Sequence, residues 1–507
     1  MYLNLKPNRH WISVLVIVLL MIHWFVLIHR ISVLIGADGA VYLETAGNLL
    51  KGKGLYYLNN GRMIPYVFWP PLYPFSIYLL MKWFGVKSIV AAIWITGTGL
   101  FLSLIMMWRL LKRLEIPLVY IIGFLVAFSG SWLYYLYFRV LSETVYLALF
   151  LGLLHALIAW IRWRSSKRLI IMGLILGLLL LTKYAAMGLA AGLAWIIWKK
   201  SKGLKTFVYN LLMVIVPALI LFFPWYIHTK IFAGSSSFAR EIAIHWPGKT
   251  HWFQWTITLV NFYVPGLTKI LGIPVAFLLL YSIVKYKSIL KRILIRYDYL
   301  WQLALIFFLF ILVAVSFVDY DIPLDIRILA PFFMISGVMT VIFFVEIPKK
   351  IPEKFLIALI LFSHLWSFGE KNIEYWHLKN DYVRYRNTPF IDKIRAYNQG
   401  KIWCNVADVL KVYVENDTLL RDYPPKFNRM TLKSNSAYEA QMLQIKETLR
   451  HNRGIVVYFY GYEQRSFLPD IRDLMYYFSG FPVLKFDEGI IILPPDEYSK
   501  NAIDSVD

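Results

Sequence analysis

The sequence predicts an all-α polytopic membrane protein of about eleven transmembrane helices, followed by a small extracytoplasmic α/β domain. Three observations carry that prediction. The 507 residues are 59% hydrophobic with a mean hydropathy of +0.58, too apolar for a soluble globule, where roughly half apolar is usual. Apolar runs of membrane-spanning type fill the chain as far as Gly369. Basic clusters stand between those runs, always on one side of the membrane, which is the positive-inside pattern.

Seven runs are long: 11–29, 87–108, 116–137, 141–160, 207–225, 299–317 and 328–345. Four more, 169–181, 185–198, 271–284 and 355–368, are shorter than the roughly 20 residues that cross a bilayer comfortably. The net charge of +23 raises the question of a nucleic-acid partner, and its location excludes one. Through Gly369 there are 34 Lys and Arg against 11 Asp and Glu, whereas residues 370–507 hold 19 of each. The excess therefore belongs to the loops RLLKR (109–113), RWRSSKR (162–168), KKSKGLK (199–205), KYKSILKRILIR (285–296) and PKKIPEK (348–354). With these inside, the N-terminus, bearing Lys6 and Arg9, is cytoplasmic and the tail lies outside a multi-pass inner (plasma) membrane protein. The first span lacks a small-residue cleavage site and reads as a retained signal anchor. A single cysteine, Cys404, excludes a disulfide framework and a thiolate metal site.

Two domains follow: a transmembrane domain, 1–369, whose first external loop spans about 30–86, and an external α/β domain, 370–507. A further external segment covers 226–270. In the tail, KIWCNVADVLKVYVE has strand character, and SNSAYEAQMLQIKETLRHN reads as a helix opened by a capping box of Ser436 and Glu439. GIVVYFYGY reads as a buried strand, SFLPDIRDLMYYF as a helix, and VLKFDEGIIIL as a hairpin turning at Asp487 to Gly489. No catalytic constellation stands out in the tail, which suits a cover or a partner-binding module.

Acids are scarce in the membrane part, and the topology puts Asp38, Glu44, Glu143, Glu241, Asp319, Asp321 and Asp325 at the outer face. An ionisable group kept at membrane depth is a functional candidate by default. In GADGAVYLETAGNLLKGKG (36–54), Tyr42, Leu43, Ala46, Leu49 and Leu50 share one side of a helix and Glu44, Thr45, Asn48 and Lys51 the other. That pattern describes an interfacial helix. Asp38, just before it, is either its N-cap or a functional carboxylate. FWPPLYPFSIYLLMKWFG (68–85) introduces a second surface element through Pro70, Pro71 and Pro74. Arg139 and Glu143 are spaced as an i,i+4 ion pair. Lys183 follows a short apolar run on the outer side, where it either snorkels or functions. Arg327 stands among three acids in DYDIPLDIRILAPFF, where the simplest role is a loop salt bridge. His245 and His251 lack zinc-pair spacing.

In this order the segments resemble the GT-C superfamily of membrane glycosyltransferases, in the branch of the protein O-mannosyltransferases and the lipid A aminoarabinose transferase. The acid-led helix of the first external loop corresponds to GADGAVYLETAGNLLKGKG, the proline motif to WPPLYPFSIYLLMKWFG, and the acid after an aromatic segment to Glu143 in YLYFRVLSETVY. A Thr-Lys pair corresponds to Thr182 and Lys183, a Pro-Trp pair ending a span to FFPWYIHTK, and a basic residue before a proline to RILAP. The chain departs at Glu143, where the branch commonly has Asp, and at Asp38, which lacks the adjacent Glu of many members.

The resemblance implies an inverting glycosyltransferase that moves a sugar from a polyprenyl phosphate to an acceptor hydroxyl at the outer face. Asp38 would be the general base and Glu143 a second catalytic carboxylate orienting the acceptor or Arg139. Lys183, Arg327 and Arg139 would bind the departing phosphate, with Tyr42 and Lys230 also in the substrate site. Residues 226–270, with Lys230, Arg240, His245 and His251, would form a lid. The implied partners are a polyprenyl-phosphate sugar, membrane lipids and an acceptor that is a protein, lipid or glycan. The family leaves a divalent cation open, and no metal ligands are assigned. The competing readings are a flippase or transporter of a lipid-linked substrate, a polysaccharide ligase or polymerase, and a non-enzymatic receptor or scaffold.

Overall fold

Where they are described, the apolar runs marked as spans fall mainly on helix in the computed structural model, which describes residues 10–31, 34–128, 134–233, 244–348, 350–377, 388–397, 400–414, 419–460 and 465–495. Helix α1 (His10–Ile31) leads into α2 (Ala37–Leu50), the hairpin β1 (Tyr56–Asn59) and β2 (Arg62–Pro65), and α3 (Leu72–Phe84). The bundle continues with α4 (Ser88–Arg113), α5 (Leu118–Ala127), the single turn α6 (Tyr134–Tyr137), α7 (Glu143–Trp163), α8 (Ser166–Leu180), α9 (Ala186–Lys200) and α10 (Leu204–Ala233). Then follow α11 (Lys249–Tyr263), α12 (Thr268–Lys285), α13 (Lys287–Arg296), α14 (Asp298–Phe317), α15 (Ile326–Glu346) and α16 (Ile351–His377).

Seven helices among the described residues, α1, α4, α7, α10, α14, α15 and α16, are long and apolar enough to cross a membrane, or eight if the bent pair α12 and α13 counts as one. The predicted spans on α5, α8 and α9 are helices of 10, 15 and 15 residues. Two of these short helices gain close partners through small residues. A Cβ on Gly173 of α8 would lie 2.3 Å from the Val214 carbonyl oxygen of α10, and one on Gly192 of α9 would lie 2.5 Å from Leu303 of α14, the small-residue route to close helix contact in lipid.

The two ends of the bundle are chemically distinct. At one end, loops rich in Lys and Arg are tied together: Arg164 donates to the Lys200 carbonyl at 3.0 Å, Lys200 pairs with Asp298 at 3.0 Å, and Lys285 pairs with Glu353 at 2.8 Å. The other end carries α2, the β1–β2 hairpin and the acids Asp38, Glu44 and Glu143.

Of the run 116–137, α5 covers Leu118–Ala127 and α6 covers Tyr134–Tyr137, and residues 129–133 lie outside the described residues. One local expectation changes. FFPWYIHTK does not end a span: α10 carries Pro217 and Pro224 in its interior and continues to Ala233, so residues 226–233 are helix, not loop. Arg240 and Glu241 lie outside the described residues.

The tail is an α/β domain with a five-stranded sheet in the order β4-β3-β5-β7-β6. Its elements are α17 (Pro389–Ala396), β3 (Lys401–Cys404), α18 (Ala407–Leu410), β4 (Leu420–Asp422), α19 (Tyr438–Arg450), β5 (Gly454–Phe459), α20 (Ile471–Tyr477), β6 (Val483–Lys485) and β7 (Gly489–Ile492). Strands β4, β3 and β5 are parallel, and β7 and β6 are antiparallel. Helices cover both faces: Phe390, Ile394 and Val409 pack on Ile455 and Val457, while Met442, Leu449 and Leu474 pack on Val456 and Tyr458. That is why β5 reads as an unbroken apolar run.

KIWCNVADVLKVYVE is thus only four residues of strand before α18. The predicted capping box fails because α19 begins at Tyr438 after Ala437, and the Asn435 side chain takes the Ala437 N–H at 3.1 Å instead. Asn60 and Gly61 form the tip of the β1–β2 hairpin with φ of 50° and 72°, the left-handed turn that Asn-Gly favours. This tip covers edge strand β4, with Asp422 N donating to Asn60 Oδ1 at 2.7 Å.

Asp422 Oδ1 is buried and accepts no hydrogen bond among the described residues. Burial pushes the carboxyl up to about 6, Asp408 adds to the shift, and Arg465 opposes it. A carboxyl raised in the folded state favours folding fully only below its unfolded pKa, near 4, and that contribution is lost as pH rises through about 6. Asp422→Asn is therefore expected to stabilise the tail at pH 7.5 by on the order of 1–2 kcal/mol and to have little effect at pH 4. Hydrogen exchange of the β5 amides, corrected for intrinsic rates, reads this out; equal protection of both proteins at pH 7.5 would sink the account.

Candidate active site

Sequence position brings α2 to the charged end, and backbone pairing fixes it there. Leu34 N donates to the Phe138 carbonyl at 2.7 Å and Val140 N donates to the Leu34 carbonyl at 3.1 Å, so the segment before α2 runs beside the segment before α7. Gly39 makes the approach possible, because a Cβ there would lie 2.8 Å from the Val140 carbonyl oxygen. The helix starts at Ala37 with Gly36 as N-cap and no side-chain cap, which makes Asp38 a first-turn residue. The N-cap reading of Asp38 is therefore overturned, and its carboxylate is directed elsewhere.

It meets Arg327. Arg327 Nη2 donates to Asp38 Oδ2 at 2.9 Å, Arg327 Nε donates to Glu143 Oε1 at 2.9 Å, and Lys183 Nζ donates to the same Glu143 oxygen at 3.1 Å. Residues 38, 143, 183 and 327 thus converge from the first turn of α2, the start of α7, the α8–α9 turn and the first turn of α15. The loop salt bridge foreseen for Arg327 does not form in that way. Asp325 instead caps α15, accepting from the Arg327 and Ile328 backbone N–H groups at 2.9 and 3.3 Å, and frees the guanidinium for acids far away in sequence. Asp321 pairs with Arg429 of the tail at 3.5 Å.

The two carboxylates differ in surroundings. Glu143 is 2% exposed and doubly bonded to cations, whereas Asp38 is 31% exposed, and its Oδ1 takes no hydrogen bond among the described residues. Arg327 has five N–H donors and Lys183 three. Two and one of these go to the carboxylates, so three guanidinium and two ammonium N–H groups remain without a partner among the described residues. The N-termini of α2, α7, α9 and α15 all point their positive ends toward this cluster, which favours an anion.

An aromatic wall stands beside the charges. Tyr42, one turn after Asp38, meets Trp69 and Tyr73 edge-on at centroid distances of 6.3 and 5.2 Å. Tyr66 stacks on Trp69 at 6.0 Å, and Trp225 donates to the Tyr184 hydroxyl at 3.0 Å. Burial, then the charges of Asp38 and Glu143, raise the Tyr42 hydroxyl well above its ordinary pKa, so it remains a neutral donor. This packing corrects the interfacial reading of α2: Thr45 and Asn48 are buried as well as Tyr42 and Ala46, and Asn48 Nδ2 donates to the Tyr56 carbonyl at 2.9 Å.

Other sequence candidates lie apart. Residues 139–142 are not helical, so the one-turn spacing of Arg139 and Glu143 does not apply, and Glu143 takes Lys183 and Arg327 instead. Lys230 is exposed near the end of α10, over the Tyr226 ring at 5.7 Å. His245 and His251 bind the Ser316 and Tyr320 carbonyl oxygens at 2.8 Å each. Among the described residues, no group of three or more His, Cys, Asp or Glu side chains could hold a metal ion.

The tail closes over this end. Lys411 Nζ pairs with Glu44 Oε2 at 3.3 Å and also donates to the Leu58 carbonyl, and Tyr320 N donates to the Met430 carbonyl at 3.2 Å. Neither Lys411 nor the hairpin was singled out from the sequence, although Asn60-Gly61 is a hairpin signal.

The same arrangement of helices and tail occurs in solved structures. ArnT from Cupriavidus metallidurans in the apo state aligns with a TM-score of 0.57 at 13% identity, covering 95% of this chain and 97% of that one. The chain has the ArnT fold. The same enzyme bound to undecaprenyl phosphate aligns with a TM-score of 0.54 at 12% identity and the same coverage. No protein-family model and no curated protein matches the sequence. At such identities the likeness to ArnT is one of fold.

Removing Arg327 leaves Asp38 unpaired and the buried Glu143 with Lys183 alone. Arg327→Gln is expected to lower stability by about 2–4 kcal/mol, and Glu143→Gln in the same chain is expected to restore part of that loss. Thermal unfolding of the detergent-solubilised protein measures both; strictly additive losses would mean that the two side chains do not act as a pair.

Proposed function

We propose that the protein transfers a sugar from a polyprenyl-phosphate donor to an acceptor hydroxyl at the outer face of the membrane, with inversion. One observation carries the reading: a partly exposed carboxylate, Asp38, lies beside two cations that a buried carboxylate, Glu143, holds in place while five of their N–H donors stay available. The ArnT fold supports it, since the neighbouring structure holds undecaprenyl phosphate.

The chemistry follows from the residue types. Asp38 Oδ1 takes the proton of the acceptor hydroxyl as its oxygen bonds to the anomeric carbon. The bond from that carbon to the phosphate oxygen breaks on the opposite face, and its electron pair leaves with the phosphate. A lipid phosphate is a good leaving group, so a single base suffices. Lys183 and Arg327 stabilise the growing phosphate charge, and Arg327, a planar fork, presents several donors at once. Glu143, buried and bonded through Oε1 to both cations, acts as a positioning residue. Trp69, half-buried against Tyr42 and Tyr66, offers a flat apolar face to the sugar or the first isoprene units.

The test is transfer of radiolabel from membrane-extracted polyprenyl-phosphate sugars, at matched expression. Asp38→Asn is expected to lose at least about a hundredfold in rate, the low end of what a positioned base supplies. Lys183→Met is expected to lower kcat by about a hundredfold as well, as when one charge-stabilising donor is removed. Equal transfer by wild type and Asp38→Asn would move the base to Glu143 or to Asp319 through Asp325. Failure of the wild type with every sugar tested would favour a flippase.

A further inference from the structure

The end of the bundle opposite Asp38 holds a second site. Lys183 lies just before α9 at the Asp38 end, so the length of α9 carries Lys199 and Lys200 to the far end. There Asp298 begins α14, and α13 turns 82° away from the direction of α12. With α12 along the bundle, α13 lies across its end, as a helix in a membrane surface does.

A cleft of about 460 Å³ opens between α13 and the ends of α9 and α14, lined by Lys199, Lys287, Lys291, Asp298, Trp301 and Gln302 among others. Positions 287, 290, 291, 294 and 295 of α13 share one helix face and all line it, so two lysines alternate with Leu290, Leu294 and Ile295. The opposite side of α13 buries Ile293 in the bundle. This is not a core face, which would lack the lysines, nor a solvated one, which would lack the leucines.

The charge is unbalanced. Asp298, the single acid of the cleft, is already held by Lys200 at 3.0 Å and approached by Lys199 at 3.8 Å. Lys287 and Lys291 have no acidic partner among the described residues. Gln302 Oε1 accepts from Trp195 and Lys199 at 3.0 and 3.4 Å, which leaves its amide N–H₂ to donate to a ligand. Ile295, 67% exposed at the rim, and the exposed Trp195, bonded to Gln302, extend the apolar lining outward.

We propose that this cleft binds the headgroup of an anionic glycerophospholipid from the surrounding leaflet. The phosphate lies against Lys287, Lys291 and the Gln302 amide, and the acyl chains run over Leu290 and Ile295. A soluble anion would leave those apolar side chains unused, and a zwitterionic lipid would bring a like charge to the lysines. The proposal is independent of the chemistry assigned to Asp38.

The full chain in detergent is titrated with short-chain phosphatidylglycerol or phosphatidylcholine, and bound lipid is counted by intact-protein mass spectrometry. The wild type is expected to retain one phosphatidylglycerol with an apparent Kd at least about tenfold below that for phosphatidylcholine. Lys287→Gln with Lys291→Gln is expected to erase that preference, while Lys202→Gln with Lys205→Gln, an exposed pair at the same end, keeps it. Both variants should melt with the wild type in phosphatidylcholine, which separates lost binding from lost folding. Three results would overturn the proposal: an unchanged preference in the first variant, an equal loss in the second, or displacement of the lipid by inorganic phosphate at equal concentration.

Discussion

The guanidinium of Arg327 is the joint on which the Asp38 end of the molecule depends. It binds two carboxylates that are 289 and 184 residues away in sequence, and it alone links α15 to both α2 and α7 through charge. A carboxylate as buried as Glu143 is costly without cations, and the pair Arg327 and Lys183 supplies them. Around this joint four helices turn their positive ends inward, so the local field favours an anion even though the side-chain charges largely balance. Asp325, by capping α15, sets the direction from which the guanidinium enters.

That joint also divides labour between the two carboxylates. Glu143, enclosed, is committed to holding cations; Asp38, at the edge, keeps one oxygen uncommitted. Burial therefore separates an enclosed acid from a partly exposed one, although both came from the same short inventory of acids in the membrane part. The aromatic wall extends the same logic to neutral groups, since Trp69 meets Tyr42 edge-on and stacks on Tyr66, while Tyr184 donates to the Val67 carbonyl and accepts from Trp225. The tail adds a roof, reaching Glu44 and Phe68 through Lys411 and Arg429.

Much of this was legible in the chain itself. The spans follow from apolar runs, the two ends from charge asymmetry, and the residues Asp38, Glu143, Lys183 and Arg327 from the scarcity of ionisable groups at that depth. What sequence pattern could not supply was partnership. Arg327 stands beside three acids and pairs with none of their carboxylates, because Asp325 is taken by backbone N–H groups and Asp321 turns to the tail. Arg139 and Glu143 have helical spacing, but the chain there is extended to pair with Leu34. The face of α2 was misread for a related reason: an amphipathic pattern describes a helix with one wet side, whereas α2 is enclosed by α3, α4 and β1, and the buried Asn48 donates its amide N–H to the Tyr56 carbonyl instead of to water. Short-range rules give elements; long-range ion pairs depend on contacts that no local window contains.

The spacing of those ion pairs bears on how the protein is made. A chain is synthesised from its N-terminus at about 5–20 residues per second, so Asp38 and Glu143 are threaded into the membrane well before Arg327 exists. Lys411, which fastens α2 to the tail, comes later still, 367 residues after its partner Glu44. The cluster around Asp38 thus cannot assemble until nearly the whole bundle is inserted, and its roof cannot close until the last domain has emerged. A nascent or truncated chain would present acids without their cations, so completeness of synthesis is built into competence of the site.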